Sequence, residues 1–325
     1  MNVYALRFPR EKDFIRRVSD KLIIHAENDF RSGFVFSPFL NSDRIFKIAD
    51  GSDLERIPSE LILENAVEFP ETVTTKEGHR RYIEDIVHSL ADNENGKIVA
   101  ARTLRLKAAV DPEKMLKKLA GAYPDAFIFF LSTKEFGSWI GASPELLMER
   151  RGNSWETMAL AGTRPAGSPL EWDSKNRVEQ QIVEDYIREL FTRNGLEIIQ
   201  TEKSTVVAGP VEHIKTQFKA FGNPKSGGLN FVSEFSPTPA LCGYPKDLAI
   251  KTIKKWEGES RRLYGGFVGW YENQNTFRLF VNLRSALVNP DEIMLYAGGG
   301  ITKDSLPESE WEETERKLST LKNIL

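Results

Sequence analysis

Near the carboxyl end of the chain, the run AGGGITKDSLPESEWEETERK (residues 297–317) joins three consecutive glycines to a dense set of acids. Glycines let a backbone approach a ligand closely, and stacked carboxylates attract a cation. Ser305 and Glu308 have the spacing of a capping box with Pro307 in the first turn, which predicts a helix from about Leu306. On that helix Glu310, Glu313 and Lys317 stand at i, i+3 and i+7 and share one face. Two carboxylates one turn apart can hold Mg²⁺, which takes one or two protein carboxylates and leaves its other positions to water or substrate oxygens. The competing reading is a solvated acidic face favoured by the helix N-terminus. The glycines lack both GxGxxG spacing and the Lys-Ser/Thr of a phosphate loop. That leaves a bare backbone close to a small carboxylate, or a tight turn with no ligand.

Two more residues have chemistry within reach. GASPELL (residues 141–147) places Glu145 just after a strand and a turn, among apolar neighbours that would desolvate it and favour its protonated form. An exposed glutamate at a helix start is the alternative. Lys97 opens the apolar strand KIVAAR, as either an edge-strand charge or a desolvated base. The four histidines, His25, His79, His88 and His213, have no ligand spacing.

The elements that must position these residues follow from periodicity. GFVFSPF (33–39) and RIFKIAD (44–50) read as strands, residues 77–97 as a helix stopped by NENG, and 97–106 as a strand. AFIFFLS and SWIGAS form paired strands ending at Ser143-Pro144, and WETMALAG is a strand closing on Gly162. Residues 176–195 are an amphipathic helix with Val178, Ile182, Val183, Tyr186, Ile187 and Leu190 on its apolar stripe and Gly195 as its end. KDLAIKTIKKWE is another helix, residues 264–288 a hairpin of two long strands around ENQN, and EIMLYAGGG a last strand. Helices and long hairpins alternate irregularly, so the expected class is α+β on antiparallel sheet, in one domain spanning 1–325.

With 325 residues, 40% hydrophobic and 28% charged, the chain can bury a full core. A net charge of −3 gives no pull toward nucleic acid or an anionic membrane, so the expected partners are small molecules, with a monomer as the default. Cys242 is alone, which excludes an intrachain disulfide and a cysteine-based zinc site. The charged start MNVYALRFPREKDF has no signal-peptide apolar region and no apolar run reaches spanning length, so the expected location is the cytoplasm.

Read together and in order, GKIVAAR, GASPELL, ALAGTRPAG, KNRVEQQIV, EHIKT, SPTPALCGYP, RLYGGFVGW, NLRSA and the glycine-acid run resemble the chorismate-utilising enzyme family from roughly Tyr82 to the C-terminus. The resemblance implies large antiparallel sheets packed face to face with helices outside, and a shortened N-terminal region over residues 1–80. PTPALCGYP, Trp270 and Lys97 are similar to the isochorismate-forming branch, where amine-transferring relatives carry glutamine at the lysine position.

Carried over residue by residue, the resemblance implies that Lys97 is the base that deprotonates water for attack at C2 of chorismate. Glu145 is then the acid that protonates the departing C4 hydroxyl. Those roles call for a neutral lysine and a protonated glutamate, which burial favours. Glu179, Glu310 and Glu313 are implied as the Mg²⁺ site for the ring carboxylate. Arg284, with Tyr296, Gly298 and Gly299, is implied for the enolpyruvyl carboxylate. Lys317 and the backbone at Ala161, Gly162 and Thr163 complete an anion pocket, and His213 stands near the reacting hydroxyl. The chain departs from the family pattern at Asn176 and Gln180, where relatives have Asp and His, and at Ser236, where relatives have His. None of these three is an assigned acid, base or metal residue. Salicylate formation, or chorismate binding without turnover, are the alternatives.

Overall fold

In a computed structural model, residues 1–40, 44–72, 75–93 and 96–325 are described. The chain begins with six strands: β1 (Asn2–Arg7), β2 (Ile15–Ser19), β3 (Leu22–Ile24), β4 (Gly33–Ser37), β5 (Phe46–Ala49) and β6 (Ser52–Asp53). Helices α1 (Glu60–Glu64) and α2 (Lys76–Ser89), strand β7 (Lys97–Lys107) and helix α3 (Pro112–Ala122) follow. Next come β8 (Phe127–Thr133), β9 (Gly137–Ser143), β10 (Leu146–Arg151), β11 (Ser154–Pro165), α4 (Ser174–Arg193), β12 (Glu197–Ala208) and β13 (Val211–Phe221). The remainder is α5 (Gly228–Phe235), β14 (Gly243–Tyr244), α6 (Lys246–Glu257), β15 (Phe267–Asn273), β16 (Thr276–Val281), β17 (Ser285–Asn289), β18 (Glu292–Ile301) and α7 (Pro307–Lys322).

Two antiparallel sheets result, ordered β14-β7-β18-β17-β9-β8-β1-β2-β6 and β12-β13-β11-β10-β16-β15-β4-β5-β3. They pack face to face through aromatic side chains: the Phe127 ring of β8 stacks on Phe280 of β16 at 4.3 Å between centroids, and Tyr4 of β1 on Phe34 of β4 at 5.3 Å. Leu116 and Leu119 of α3 and Leu318 and Leu321 of α7 cover the outer face of the first sheet. α4 and α5 pack on the second, where Trp155 meets Phe231 edge to face at 5.3 Å. No helix among the described residues is long and apolar enough to cross a membrane.

The α+β class and the facing sheets are as expected, and several local expectations change. Within residues 264–288, β15 and β16 form the expected hairpin around ENQN in the second sheet, but its second strand ends at Val281 and the chain then crosses to β17 in the first. The strand expected to close at Gly162 runs on to Pro165 through a bulge, with Gly162 at φ +66°. The glycine triplet is not a turn but the last part of β18, paired in register with Val99, Ala100 and Ala101 of β7. The expected capping box does not form. α7 starts at Pro307 after Leu306, and the Ser305 hydroxyl instead accepts the Thr302 amide at 3.1 Å. α2 ends at Ser89; of the expected NENG stop, Glu94 and Asn95 lie outside the described residues. In α4, Val178 is exposed, because the helix turns Asn176, Glu179, Gln180 and Glu184 inward.

Candidate active site

Of the places where the chain passes between the sheets, two are neighbours, β9 to β10 and β16 to β17. A strand that changes sheets must leave its ladder, and the residues at the change can face the space between the layers. Glu145 stands at the first crossing and Arg284 at the second. The crossings are stitched together: the Val281 amide donates to the Glu145 carbonyl at 3.0 Å, the Ala142 amide to the Arg284 carbonyl at 3.1 Å, and the Ser143 hydroxyl to the Val281 carbonyl at 2.6 Å. Arg284 has φ +48°, a left-handed backbone that few non-glycine residues adopt.

Between these crossings and β18 lies a cavity enclosing about 620 Å³ of empty space, part of it open to solvent. Of the fourteen site residues expected from sequence, ten line it: Lys97, Glu145, Ala161, Thr163, Glu179, His213, Arg284, Tyr296, Gly298 and Lys317. The other four, Gly162, Gly299, Glu310 and Glu313, stand directly behind that wall.

Glu145 is 3% exposed, and burial pushes its carboxyl up to about 8 despite the opposing charges of Lys97, Lys317 and Arg284. It is therefore a protonated acid at neutral pH. Lys97 is as buried as a desolvated base would be, with 1% of its side chain exposed, but its ammonium bonds Glu179 Oε1 at 2.8 Å. Gly300 makes room for this pair: a Cβ there would sit 2.0 Å from Glu179 Oε1 and 2.6 Å from Lys97 Cε. The sequence signal for Gly300 was the triplet itself, from which only Gly298 and Gly299 had been assigned a role. Gly243 is also required by close approach, since a Cβ at that position would lie 2.2 Å from the Lys97 carbonyl. It seats the PTPALCGYP loop on β7, and the loop's Ala240 and Leu241 line the cavity.

His213 lines the cavity with both ring nitrogens engaged. Its Nδ1–H donates to the Gly162 carbonyl at 3.1 Å, and its Nε2 accepts from Arg284 Nη2 at 3.0 Å, since a carbonyl can only accept and a guanidinium only donate. Burial, with Arg284 and Lys317 nearby, pushes the ring down to about 3. His213 is thus a neutral anchor for Arg284, which also donates to the Ala208 carbonyl at 2.9 Å. Burial lowers Arg284 to about 10, which leaves it a cation at neutral pH.

The backbone donors expected at Ala161 and Thr163 are already engaged. The Ala161 amide donates to Gln180 Oε1 at 2.8 Å and the Thr163 amide to Asn176 Oδ1 at 2.7 Å. The two departures from the family pattern therefore brace the bulge that aims the Gly162 carbonyl at His213. Tyr296 stacks between Trp139 and Tyr264, each at 5.3 Å, and its hydroxyl is spent on the Ser260 carbonyl at 3.3 Å.

On α7, Glu310, Glu313 and Lys317 share the expected face, but it is not a solvated one: the two acids are 2% and 8% exposed. Lys317 bonds Glu313 Oε1 and the Gly298 carbonyl, both at 2.8 Å, and Lys175 bonds Glu310 Oε1 at 2.7 Å. Burial pushes Glu310 up from its ordinary value; at Glu313 the same push is outweighed by Lys317 and Lys175, which hold it down. With each acid turned to its own lysine, the described residues form no closed metal shell. The donor set nonetheless suits a hard divalent cation. It offers carboxylate oxygens only, and Glu310 Oε2 is buried with no hydrogen-bond partner.

The cavity wall carries Lys97, Arg284 and Lys317 against Glu179, with Glu145 and His213 neutral, so its lining side chains sum to two positive charges. That balance fits a small dianion.

The chorismate binding enzyme family matches residues 47–325. Isochorismate synthase EntC of Escherichia coli K12 is 31% identical over 241 residues, 70% of this chain and 62% of its own length. The vibriobactin-specific isochorismate synthase of Vibrio cholerae is 28% identical over 269 residues, 75% of this chain and 66% of its own length. The chain thus spans a little under two thirds of these relatives. Among solved structures, the menaquinone-specific isochorismate synthase MenF of Escherichia coli superposes with a TM-score of 0.81 at 20% identity, covering 100% of this chain and 89% of that one. Anthranilate synthase component I of Streptococcus pneumoniae gives 0.71 at 16% identity, covering 98% and 89%.

Proposed function

Because the chain belongs to the chorismate binding enzyme family, we propose that it converts chorismate to isochorismate, with residues 1–325 acting as one catalytic unit. The observation that carries the proposal is Glu145: a fully desolvated, protonated carboxyl in the same cavity as Lys97 and Arg284. In this reading Lys97, in its neutral form after losing a proton to solvent, takes a proton from the water that adds at C2, and Glu145 gives its proton to the C4 hydroxyl, which leaves as water. One water is consumed and one released, and the proton returns from Lys97 to Glu145 before the next turnover. Proton transfer of this kind contributes on the order of 100- to 10,000-fold each. Arg284, held by His213, and Lys317 bind carboxylate, and the ring of Tyr296 packs on the substrate side. Glu179, Glu310 and Glu313 would hold Mg²⁺, which would supply countercharge to the ring carboxylate.

The relatives named above include a vibriobactin-specific and a menaquinone-specific enzyme, and the reaction proposed here is the one their names share. Incubating the purified chain with chorismate and Mg²⁺ and resolving the products by chromatography tests it. Isochorismate is expected, and its formation should stop with EDTA. Anthranilate, salicylate or unchanged chorismate as the outcome would sink the proposal.

A further inference from the structure

Lys175 has no part in the reaction above, yet it stands among the residues read as the metal wall. That wall holds three carboxylates and three ammonium groups, paired one to one: Glu179 with Lys97, Glu313 with Lys317, and Glu310 with Lys175. Lys97 and Lys317 line the substrate cavity, and Lys317 is fixed twice, by Glu313 and by the Gly298 carbonyl. Lys175 lies outside that lining and among the described residues makes a single hydrogen bond, to Glu310 Oε1, with 24% of its side chain exposed. It therefore covers half of a carboxylate whose other oxygen, Oε2, is buried and unpartnered.

The lysine can leave without cost to its helix. The first turn of α4 is capped by Asp173, whose Oδ1 accepts the Asn176 amide at 2.7 Å, so no backbone donor depends on the Lys175 side chain. A divalent cation entering next to a retained ammonium would meet strong repulsion in a site of low effective dielectric.

We propose that Lys175 is a placeholder cation, whose ammonium occupies the Glu310 corner while the divalent metal is absent and swings to solvent when the metal binds. Lys175 then sets the affinity of the site for its metal. This rests on reading Glu179, Glu310 and Glu313 as the metal wall, and it is separable from that reading by experiment.

The probe is Mn²⁺, with the free ion followed by electron paramagnetic resonance during titration of the EDTA-treated full chain, without substrate. Lys175→Met should bind Mn²⁺ about tenfold or more tightly than wild type, as expected from loss of a nearby unit charge. Lys175→Arg, still a cation, should bind no more tightly than wild type. Without metal, Lys175→Met should also melt at a lower temperature than wild type, and saturating Mn²⁺ should close that gap. Equal or weaker binding by folded Lys175→Met overturns the proposal. Should that variant not fold without metal, Lys175→Gln, which keeps a donor for Glu310, replaces it under the same criterion. Wild-type protein that binds no Mn²⁺ would bring down the metal wall and the placeholder together, whereas binding indifferent to residue 175 would remove the placeholder alone.

Discussion

Glu145 acquires its chemistry from desolvation more than from any neighbour, since all three nearby charges act to ionise it and burial still wins. Its folded value of about 8 lies above the unfolded value of 4.5, so the folded state holds a proton that the unfolded state gives up over this window. Stability from this group is complete below the unfolded value and is lost as pH rises through about 8. Glu145→Gln should therefore gain stability relative to wild type between those limits, by a few kcal/mol at most, while turnover falls by on the order of 1,000-fold. Paired denaturant titrations at low and high pH measure the first effect, and initial rates measure the second. In the wild type, kcat/KM, which reports the free enzyme, should decline as pH rises past about 8 as the acid loses its proton. A flat profile through that region would remove Glu145 from the acid role.

At the scale of elements, β18, with α7 packed on it and Glu179 of α4 reaching its end, carries the site. Adjacent residues of a strand face opposite sides, so neighbouring glycines of the triplet should tolerate change differently. A Cβ at Gly299 would make ordinary contacts, 3.4 Å to Glu310 Oε2 and 3.5 Å to Glu313 Oε1, whereas one at Gly300 would overlap the Lys97–Glu179 pair. Gly299→Ala should keep most activity. Gly300→Ala should fold, since the overlap is with side-chain ends, and lose activity by about 100-fold or more on the scale of a displaced catalytic group. Similar rates for the two variants would contradict this account. The α2–α7 contact makes a second prediction. His79 is 1% exposed, lies edge to face with Trp311 at 5.5 Å, and has no hydrogen-bond partner for either ring nitrogen among the described residues. Burial, with Arg102 nearby, lowers it to about 4, so stability is lost as pH falls from 6.5 toward that value. His79→Leu should remove this part of the acid sensitivity, up to about 3 kcal/mol, seen as a growing stability advantage over wild type on acidification.

For the whole molecule, the first strands are internal parts of both sheets. β1 pairs with β8 and β2, and β4 with β15 and β5, although the family match begins only at residue 47. A chain starting at residue 54 would expose the edges of β8 and β15 together with the inner face now covered by Tyr4, Phe34 and Phe36, and should aggregate when expressed. Soluble, active protein from that truncation would show the N-terminal strands to be dispensable.

Much of the site was legible in the sequence because its signals are local. Helical spacing alone put Glu310, Glu313 and Lys317 on one face, a strand followed by Ser143-Pro144 brought Glu145 to a turn, and alternation marked most strands within a few residues of their ends. The capping box at Ser305 and the continuation of the ENQN hairpin past Val281 misled, since those residues have other partners once the chain folds. Which acid meets which lysine was beyond local reading. Lys175 and Glu310 lie 135 positions apart, and they meet only because α7 packs on β18 while α4, packed on β11 and β13 of the second sheet, starts close to it. The sheet changes that bring Glu145 beside Arg284, the need for Gly300, the neutral tautomer of His213 and the engaged amides of Ala161 and Thr163 were likewise decided by tertiary structure. The sequence by itself determined which groups were present and which face each would occupy. Packing decided their charge states and partners, because desolvation and pairing depend on everything that surrounds a group.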